Sequence, residues 1–473
     1  MDRRSFLKLT AFATGAMCLD LTAFAEQVKV FGESRLKMGI LSDIHICNQA
    51  TEDMFRHALE YFRDQNVDGV IIAGDMADNG LVSELAQVSR AWYTVFPKDR
   101  LPDGTHVEKV FVFGNHDTAG CLSGDPDPKA SGRIYADYAK YWKKYFKEDY
   151  GQVYIKNVKG YKFVCSHWSF DRHGQECGAP EFVAAHADEL KGEKPFFYIQ
   201  HAHLAHTCNG EWAWGQDDGT MTETLRKFPN AIAFSGHSHD PLTDDRDLWQ
   251  EEFTSIGTSS LRYVLPIGGR ENSWLDGETR KIPSQMPSVD VGSGHQGMVM
   301  TVYDSYITLQ RREFLYDESL GDDWVIPIPK GKDAPLSFGS RAETAPVPQF
   351  ASDAKIAVGP FLMGRDRHGE GTIQLELTFP SVLKKTTGVR AFDYEVSVEQ
   401  RYVDMTTTAC TKHVYSPHCF LGEDHDEEDV KCVFAKRELP PMFEYRFAVR
   451  PCNCFGRKGR AIYSEWQKSL DQK

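Results

Sequence analysis

The sequence predicts two architectures in one chain: an α/β domain whose strands alternate with helices, then an all-β domain. Three observations carry this. From Leu36 onward, short apolar runs of buried-strand type alternate with segments of helical spacing. After a stretch rich in Pro, Gly and charge at 328–348 the helical segments stop and strand patterns continue alone. Within the first region, five clusters of metal-ligating side chains each follow directly on an apolar run, so that a strand delivers each to the same end of a sheet. The domain boundaries expected are 1–25 for a targeting segment, 33–327 for the α/β domain, 328–348 for a linker and 349–473 for the all-β domain.

The elements follow in order. Apolar runs at 36–41, 67–73, 107–113, 161–165, 195–200 and 231–235 read as strands buried on both faces. Between them, 52–64, 81–96, 134–146 and 221–228 carry helical spacing, and 298–314 alternates on both sides of Asp304-Ser305 as a closing hairpin. Beyond the linker, 372–379, 392–400 and 443–450 read as strands without long helices between them.

At 473 residues the chain is too long for one ordinary core, and two domains are expected. The formal net charge of −14 repels phosphate backbones at long range, which excludes a broad nucleic-acid surface and leaves room for a local cationic site. Arg3-Arg4 opens the first 25 residues, 7–19 are mostly apolar or small, and Ala23-Phe24-Ala25 is an A-x-A-like cleavage site. Arg3-Arg4-Ser5-Phe6-Leu7-Lys8 resembles the twin-arginine export signal, departing from it at Asp2, where that signal favours Ser or Thr. The resemblance implies the twin-arginine (Tat) translocation machinery as a partner and a periplasmic or secreted destination in a bacterium. Cys18 follows Met17, a poor fit to a lipid-anchor site, and no later run reaches the length of a membrane helix. Of the ten cysteines besides Cys18, five precede residue 210 and five follow residue 409; an odd count in each half argues against a fully paired framework within each domain.

The clusters are Asp43-Ile44-His45, Gly74-Asp75, Gly114-Asn115-His116-Asp117, His201 and Gly236-His237-Ser238-His239. Carboxylate, imidazole and amide oxygen are ligands for a pair of divalent or trivalent ions, imidazole suiting Zn, Fe and Mn and carboxylate favouring harder ions. Asp43 and His45 stand two apart at a strand end, where extended backbone turns both to one side, and His237 and His239 repeat that spacing. The two oxygens of Asp75 can bridge two ions, Asn115 offers a neutral oxygen, and His201 ends the run at 195–200.

Taken in order, D-x-H (Asp43, His45), G-D-x-x-D (Gly74 to Asp78), G-N-H-D (Gly114 to Asp117), the single His201 and G-H-x-H (Gly236 to His239) resemble the calcineurin-like metallophosphoesterases over roughly residues 36–315. The resemblance implies a two-sheet sandwich flanked by helices. It implies one metal held by Asp43, His45, Asp75 and His239, and a second by Asp75, Asn115, His201 and His237. Asp78 stands where the purple acid phosphatases carry the tyrosine of their iron-tyrosinate centre, so that variant is not expected. In two-metal hydrolysis the ions clamp a phosphate and activate water for in-line attack, and the leaving oxygen then needs a proton. His116 is the candidate donor, with Asp117 holding its ring, and Asp78 is the candidate support of a metal ligand.

Substrate choice points to the rim. His203 and His206 follow His201 closely, in a loop that also holds Cys208, Trp212, Trp214, Asp217 and Asp218, with His203 the leading specificity candidate. His167, in Ser166-His167-Trp168 after another strand end, is a further rim candidate, with packing as its alternative role. Cys47 is a candidate apolar wall, and Arg262 and Arg270 are cations that could take a non-bridging phosphate oxygen. In the last domain, Glu438 to Arg450 followed by Asn453 and Gly456 resembles the late strands of a fibronectin type III sandwich, which implies a corner hydrogen bond from Tyr445. The acidic run at 422–429 reads as a solvated loop, with a calcium site as the sharper alternative. The functional expectation is an exported, dimetal phosphoric ester hydrolase acting on a phosphorylated small molecule or a phosphodiester. The rival reading is a cell-surface binding or adhesion protein in which the β-sandwich carries the role and the metal domain is ancillary.

Overall fold

A computed structural model of the chain describes residues 32–118, 132–168, 178–209, 215–264, 294–328, 336–365, 369–384, 388–417, 419–422, 429–441 and 443–468. The targeting segment with Cys18, the loop tryptophans Trp212 and Trp214, Arg270 and most of the acidic run lie outside the described residues. The described residues fall into two compact units, 32–242 with 246–264 and 294–340, and 243–245 with 341–468.

The first unit runs β1 (Leu36–Leu41), α1 (Gln49–Asp64), β2 (Gly69–Ala73), α2 (Val82–Val95), β3 (Glu108–Val112), the single turn α3 (Asn115–Thr118), α4 (Tyr138–Phe146), β4 (Val153–Val158), β5 (Tyr161–Ser166), α5 (Ala179–Ala185), α6 (Ala187–Leu190), β6 (Phe196–Ile199), α7 (Thr220–Leu225), β7 (Ala231–Ser235), β8 (Leu248–Gln250), β9 (Thr254–Gly257), β10 (Gln296–Val302), β11 (Tyr306–Glu313), β12 (Glu318–Ser319) and β13 (Trp324–Pro327). One sheet is ordered β12-β11-β10-β1-β2-β3, with β13 also on β11, and the other β4-β5-β6-β7-β9-β8. Strands β1, β2 and β3 are parallel, as are β5, β6, β7 and β9, and the β10–β11 hairpin continues the first sheet in antiparallel sense.

Strand alternation divides the apolar side chains among three layers. Met38 and Ile40, Ile71 and Ala73, and Val110 and Val112 share one buried core with Phe163, Phe197, Ile199 and Phe234 of the other sheet. The alternate residues Val70, Ile72 and Phe111 pack beneath Phe55 and Phe62 of α1, Val88 and Trp92 of α2, and Trp142 and Phe146 of α4. On the far side, Val164, Tyr198 and Ala233 meet Val183, Leu190 and Leu225 from the short helices. Each inner strand is thus buried on both faces, which is why it reads as a continuous apolar run. Helix α1 starts where Asn48 accepts from Thr51 N and the Thr51 hydroxyl closes the capping box, and it buries Phe55, Ala58, Leu59 and Phe62 along one stripe. The helix expected over 134–146 is broken: a 3-10 turn, Ile134–Ala136, ends at Asp137, whose side chain then caps α4 by accepting from Lys140 N.

The second unit is all-β: β14 (Ala357–Val358), β15 (Leu362–Arg365), β16 (Gly371–Phe379), β17 (Asp393–Tyr402), β18 (Met405–Tyr415), β19 (Val430–Ala435), β20 (Glu444–Cys452) and β21 (Ile462–Tyr463). In one antiparallel sheet β16 carries β14 and β15 on one edge and β19 on the other, and the second sheet is ordered β18-β17-β20-β21. Leu375, Leu377, Phe379 and Phe434 of the first sheet and Val396, Val398, Phe447 and Val449 of the second bury a common core. The corner bond expected of Tyr445 is not made: its ring packs edge-on against Phe447, and among the described residues its hydroxyl takes no backbone partner. The tyrosine hydroxyl that accepts a distant backbone N–H is that of Tyr394, from Val382 at 2.7 Å. Among the described residues no helix is long and apolar enough to cross a membrane.

Candidate metal centre

Every cluster lies just past the carboxyl end of a parallel strand, the edge where open α/β sheets gather ligands. Both sheets contribute, Asp43 and His45 after β1, Asp75 after β2 and Asn115 to Asp117 after β3, then His201 after β6 and His237 and His239 after β7. The two-apart spacing does not act through extended backbone as expected. Asp43, His45, Asp75, His237 and His239 take φ of 49, 47, 51, 71 and 56°, the left-handed region in which Asp and His are among the better-tolerated side chains. The loops keep pairing as they turn, with Asp43 N donating to Gly74 O and His45 N to Asp75 O, each at 3.0 Å. Two glycines let these loops close on one another. A Cβ on Gly74 would overlap the His201 ring, and one on Gly114 would overlap the Asp75 carboxylate.

Each aspartate commits one oxygen to the scaffold and turns the other into the cluster. Asp43 Oδ2 accepts from Ser42 Oγ at 2.5 Å and His237 N at 3.0 Å, and Asp75 Oδ1 accepts from His116 N at 2.8 Å. Asp43 Oδ1 and Asp75 Oδ2 are buried with no hydrogen-bond donor. The imidazoles do the same. His45 Nδ1 lies 3.1 Å from Asp78 Oδ1, His201 Nδ1 2.8 Å from Ala73 O, and His239 Nδ1 3.0 Å from Tyr263 O. Those acceptors assign the proton of each neutral ring to Nδ1 and leave the Nε2 lone pair facing inward.

The inward atoms are therefore acceptors set against acceptors. His239 Nε2 stands 2.9 Å from Asp43 Oδ1 and 3.4 Å from His45 Nε2; His201 Nε2 stands 3.1 Å from Asp75 Oδ2 and 2.9 Å from Asn115 Oδ1. Buried lone pairs held this close need positive charge between them. Two of the resulting donor groups, Asp43 with His45 and His239, and Asp75 with His201 and His237, each fit a metal ion, and mixed carboxylate and imidazole donors suit ions of the Mn, Fe or Zn kind. The titration of the side chains records the same demand. Burial opposes a charge on His45, but hydrogen bonds to Asp43 and Asp78 and the charges of Asp75 and Asp43 raise it to about 10. His201, also opposed by burial, is raised to about 9 by Asp75 and Asp43. Against their own burial, the neighbouring imidazoles hold the Asp43 and Asp75 carboxyls below the usual carboxylate range.

His116 stands at the edge of the cluster, edge-on to His45 with ring centroids 4.4 Å apart and partly exposed. Its orienting partner is not Asp117. His116 Nδ1 lies 2.8 Å from the Asp78 carbonyl, while the Asp117 carboxylate accepts from Gly114 N at 2.8 Å, Ala77 N at 2.8 Å and Met76 N at 3.2 Å. In the turn α3 successive side chains diverge by a quarter turn or more, so Asp117 faces the buried β2 loop and staples it to the β3 loop. Burial, then the charge of Asp75, push the Asp117 carboxyl up to about 7 against those three N–H groups.

Among the described residues, none of the three substrate candidates belongs to a group that could hold a metal ion. His203 is buried with Nε2 2.9 Å from Cys208 O, and burial holds it down at about 4. His206 is exposed on the following turn. His167 is enclosed by Phe113, Trp142 and Tyr150, its Nδ1 accepting from Phe113 N at 2.9 Å. The chain bends after each strand, so counting two residues on does not give a shared face. Two aromatic rings that sequence reasoning passed over flank the cluster instead. Trp168 lies 5.7 Å from His201 and 5.4 Å from His237, and Tyr263 4.4 Å from His239 and 5.9 Å from His45, centroid to centroid. Trp168 was adjacent to a flagged residue at a strand end; Tyr263 follows β9, too short to signal itself.

Residues 36–241 match the family model described as Calcineurin-like phosphoesterase. That match takes in all seven candidate donors, Asp43, His45, Asp75, Asn115, His201, His237 and His239. Among solved structures, a dimetal phosphatase from Danio rerio aligns at 12% identity and TM-score 0.39, over 63% of this chain and 100% of that one. A purple acid phosphatase from yellow lupin seeds aligns at 16% identity and TM-score 0.41, over 67% of this chain and 57% of that one. GAP50, the anchor in the inner membrane complex of Plasmodium, aligns at 12% identity and TM-score 0.38, over 64% and 92%. Comparison with curated protein sequences gives no match.

Proposed function

We propose that this protein is a metal-dependent phosphoric ester hydrolase acting outside the cytoplasm. The observation that carries the reading is the set of buried lone pairs at contact distance, Asp43 Oδ1 against His239 Nε2 and Asp75 Oδ2 against His201 Nε2, within a phosphoesterase domain. Asp43, His45, Asp75 and His239 would hold one ion and Asp75, Asn115, His201 and His237 the other; bound there, the pair would neutralise phosphate charge and activate water for attack on phosphorus. The chain's own residues do the rest. Asp78 and the carbonyls of Ala73 and Tyr263 hold His45, His201 and His239 with Nε2 inward, so no ring must reorient during turnover. His116 donates a hydrogen bond from Nδ1–H to the Asp78 carbonyl, which leaves Nε2 as the atom that exchanges a proton with the leaving oxygen. Trp168 and Tyr263 border the cluster on opposite donor groups and narrow the approach of the ester substituent.

Export by the twin-arginine route belongs to the same reading, supported by Arg3-Arg4 and the Ala23-Phe24-Ala25 cleavage pattern. The test of function is hydrolysis of p-nitrophenyl phosphate and bis-p-nitrophenyl phosphate with added Mn and after chelation. Turnover of either ester that disappears on chelation and returns with metal is expected. Absence of metal-dependent turnover of both would overturn the hydrolase reading.

A further inference from the structure

Beside the metal-ligating groups lies a turn whose position is set from three sides. Ser260 Oγ donates to Asp43 O at 3.0 Å and accepts from Arg262 N at 3.0 Å and Tyr263 N at 3.1 Å. Leu261 N donates to Ser42 O at 3.1 Å, and Tyr263 O accepts a hydrogen bond from His239 Nδ1 at 3.0 Å. Arg262 is thereby fixed between the loop that carries Asp43 and the residue that orients His239. Its side chain is half-buried, yet among the described residues its guanidinium makes no hydrogen bond and no ion pair. Its charge does reach the Asp78 carboxylate, lying on the side of the cluster where His45 and His116 stand. A guanidinium that is half desolvated and lacks a carboxylate partner, beside a centre that the domain uses for phosphoesters, has its five N–H donors available for a ligand.

We propose that Arg262 binds a non-bridging oxygen of the substrate phosphate and so favours phosphomonoesters over phosphodiesters. The inference rests on the phosphoester-hydrolase reading above and adds the substrate class. A monoester at neutral pH carries close to two negative charges on three terminal oxygens, one terminal oxygen more than a diester offers, and a planar donor fork suits that additional charged oxygen. A diester carries one charge, and its second substituent occupies the position that the fork would hold. Arginine suits this task because its donors are paired and planar; lysine keeps the charge and loses the fork.

The experiment compares Arg262→Ala and Arg262→Lys with the wild type, all reconstituted with Mn and matched for metal content. Two quantities are read: affinity for inorganic phosphate by titration calorimetry, and kcat/KM for p-nitrophenyl phosphate and bis-p-nitrophenyl phosphate. A charge-assisted contact predicts that Arg262→Ala weakens phosphate binding roughly 10- to 100-fold, with Arg262→Lys between it and the wild type. It also predicts that monoester kcat/KM falls by a similar factor while diester kcat/KM changes less than about 3-fold. Unchanged phosphate affinity in both variants, or equal losses on the two esters, overturns the proposal. Should the wild type turn over neither ester, the hydrolase reading fails by itself, and the phosphate titration still decides whether Arg262 is an anion-binding residue.

Discussion

At the scale of single residues, the chemistry is set by which atom of each side chain is left without a partner. Asp43 and Asp117 are both fully buried carboxylates, but Asp43 keeps Oδ1 unpartnered while both oxygens of Asp117 accept backbone N–H groups. They should respond differently to the same amidation. Asp117→Asn sets an amide N–H against backbone donors, and we expect a loss of about 1–3 kcal/mol in urea denaturation. His116→Ala removes the proposed proton donor, which belongs to neither of the two expected ligand sets, so metal content should hold while kcat falls roughly 100- to 10,000-fold; an emptied site in that variant would make His116 a ligand. His167 gives a pH signature. Burial lowers it to about 3, so the folded state keeps the ring neutral while the unfolded chain binds a proton below about 6.5. More protons are then bound in the unfolded state between these values, and stability present above about pH 6.5 is lost by roughly 1.4 kcal/mol per unit as pH falls. His167→Asn keeps an acceptor for Phe113 N and should flatten that slope by the same amount, read as the difference between variant and wild-type urea curves. The convergence of Asp43, His45, Asp75, His201, His237 and His239 was legible in the sequence because carboxylate and imidazole recur there at several strand ends. His203 was ranked first at the rim because the same residue type also serves as a neutral, buried polar group, and nothing in one sequence separates the two uses; packing, weighed for His167 beside a rim role, is what its ring does.

At the scale of elements, the strands were readable and the turns after them were not. Strands β1 and β7 appear in the sequence with their full lengths, since residues buried on both faces form an unbroken apolar run. Strand β4 shows no such run because most of its residues are only partly buried, and β8 and β9 are three and four residues long. Missing β9 left Tyr263 unnoticed and Arg262 a candidate without a position, as the turn it feeds carries both. Spacing within the clusters suggested extended backbone, whereas the glycines held the better clue: each marks a place where two loops approach too closely for a Cβ. Gly114→Ala tests this at one element. The added methyl would meet Asp75 Oδ1 and, at 2.6 Å, Asp75 N, displacing the one carboxylate common to both expected ligand sets. Both metals should be lost or weakened together in elemental analysis, while retention of one metal at full occupancy would show that Asp75 does not bridge.

At the scale of the whole molecule, the donor atoms all belong to the first unit, and the second is built from two antiparallel sheets around its own core. Ligand linkage then makes a selective prediction. An ion that binds only folded first unit at about 100 times its Kd adds about 2.7 kcal/mol to that unit, so Mn should raise one calorimetric transition and leave the other in place. A shift of both transitions together would indicate that the units unfold as one. The direct test of the centre itself is calorimetric titration of Mn into metal-stripped, full-length protein near neutral pH. Two facing sets of buried acceptors, with His45 and His201 raised to about 10 and about 9, predict two ions bound per chain with release of protons to the buffer. A stoichiometry of one or none, or binding with no proton release, would contradict a binuclear metal centre at this site.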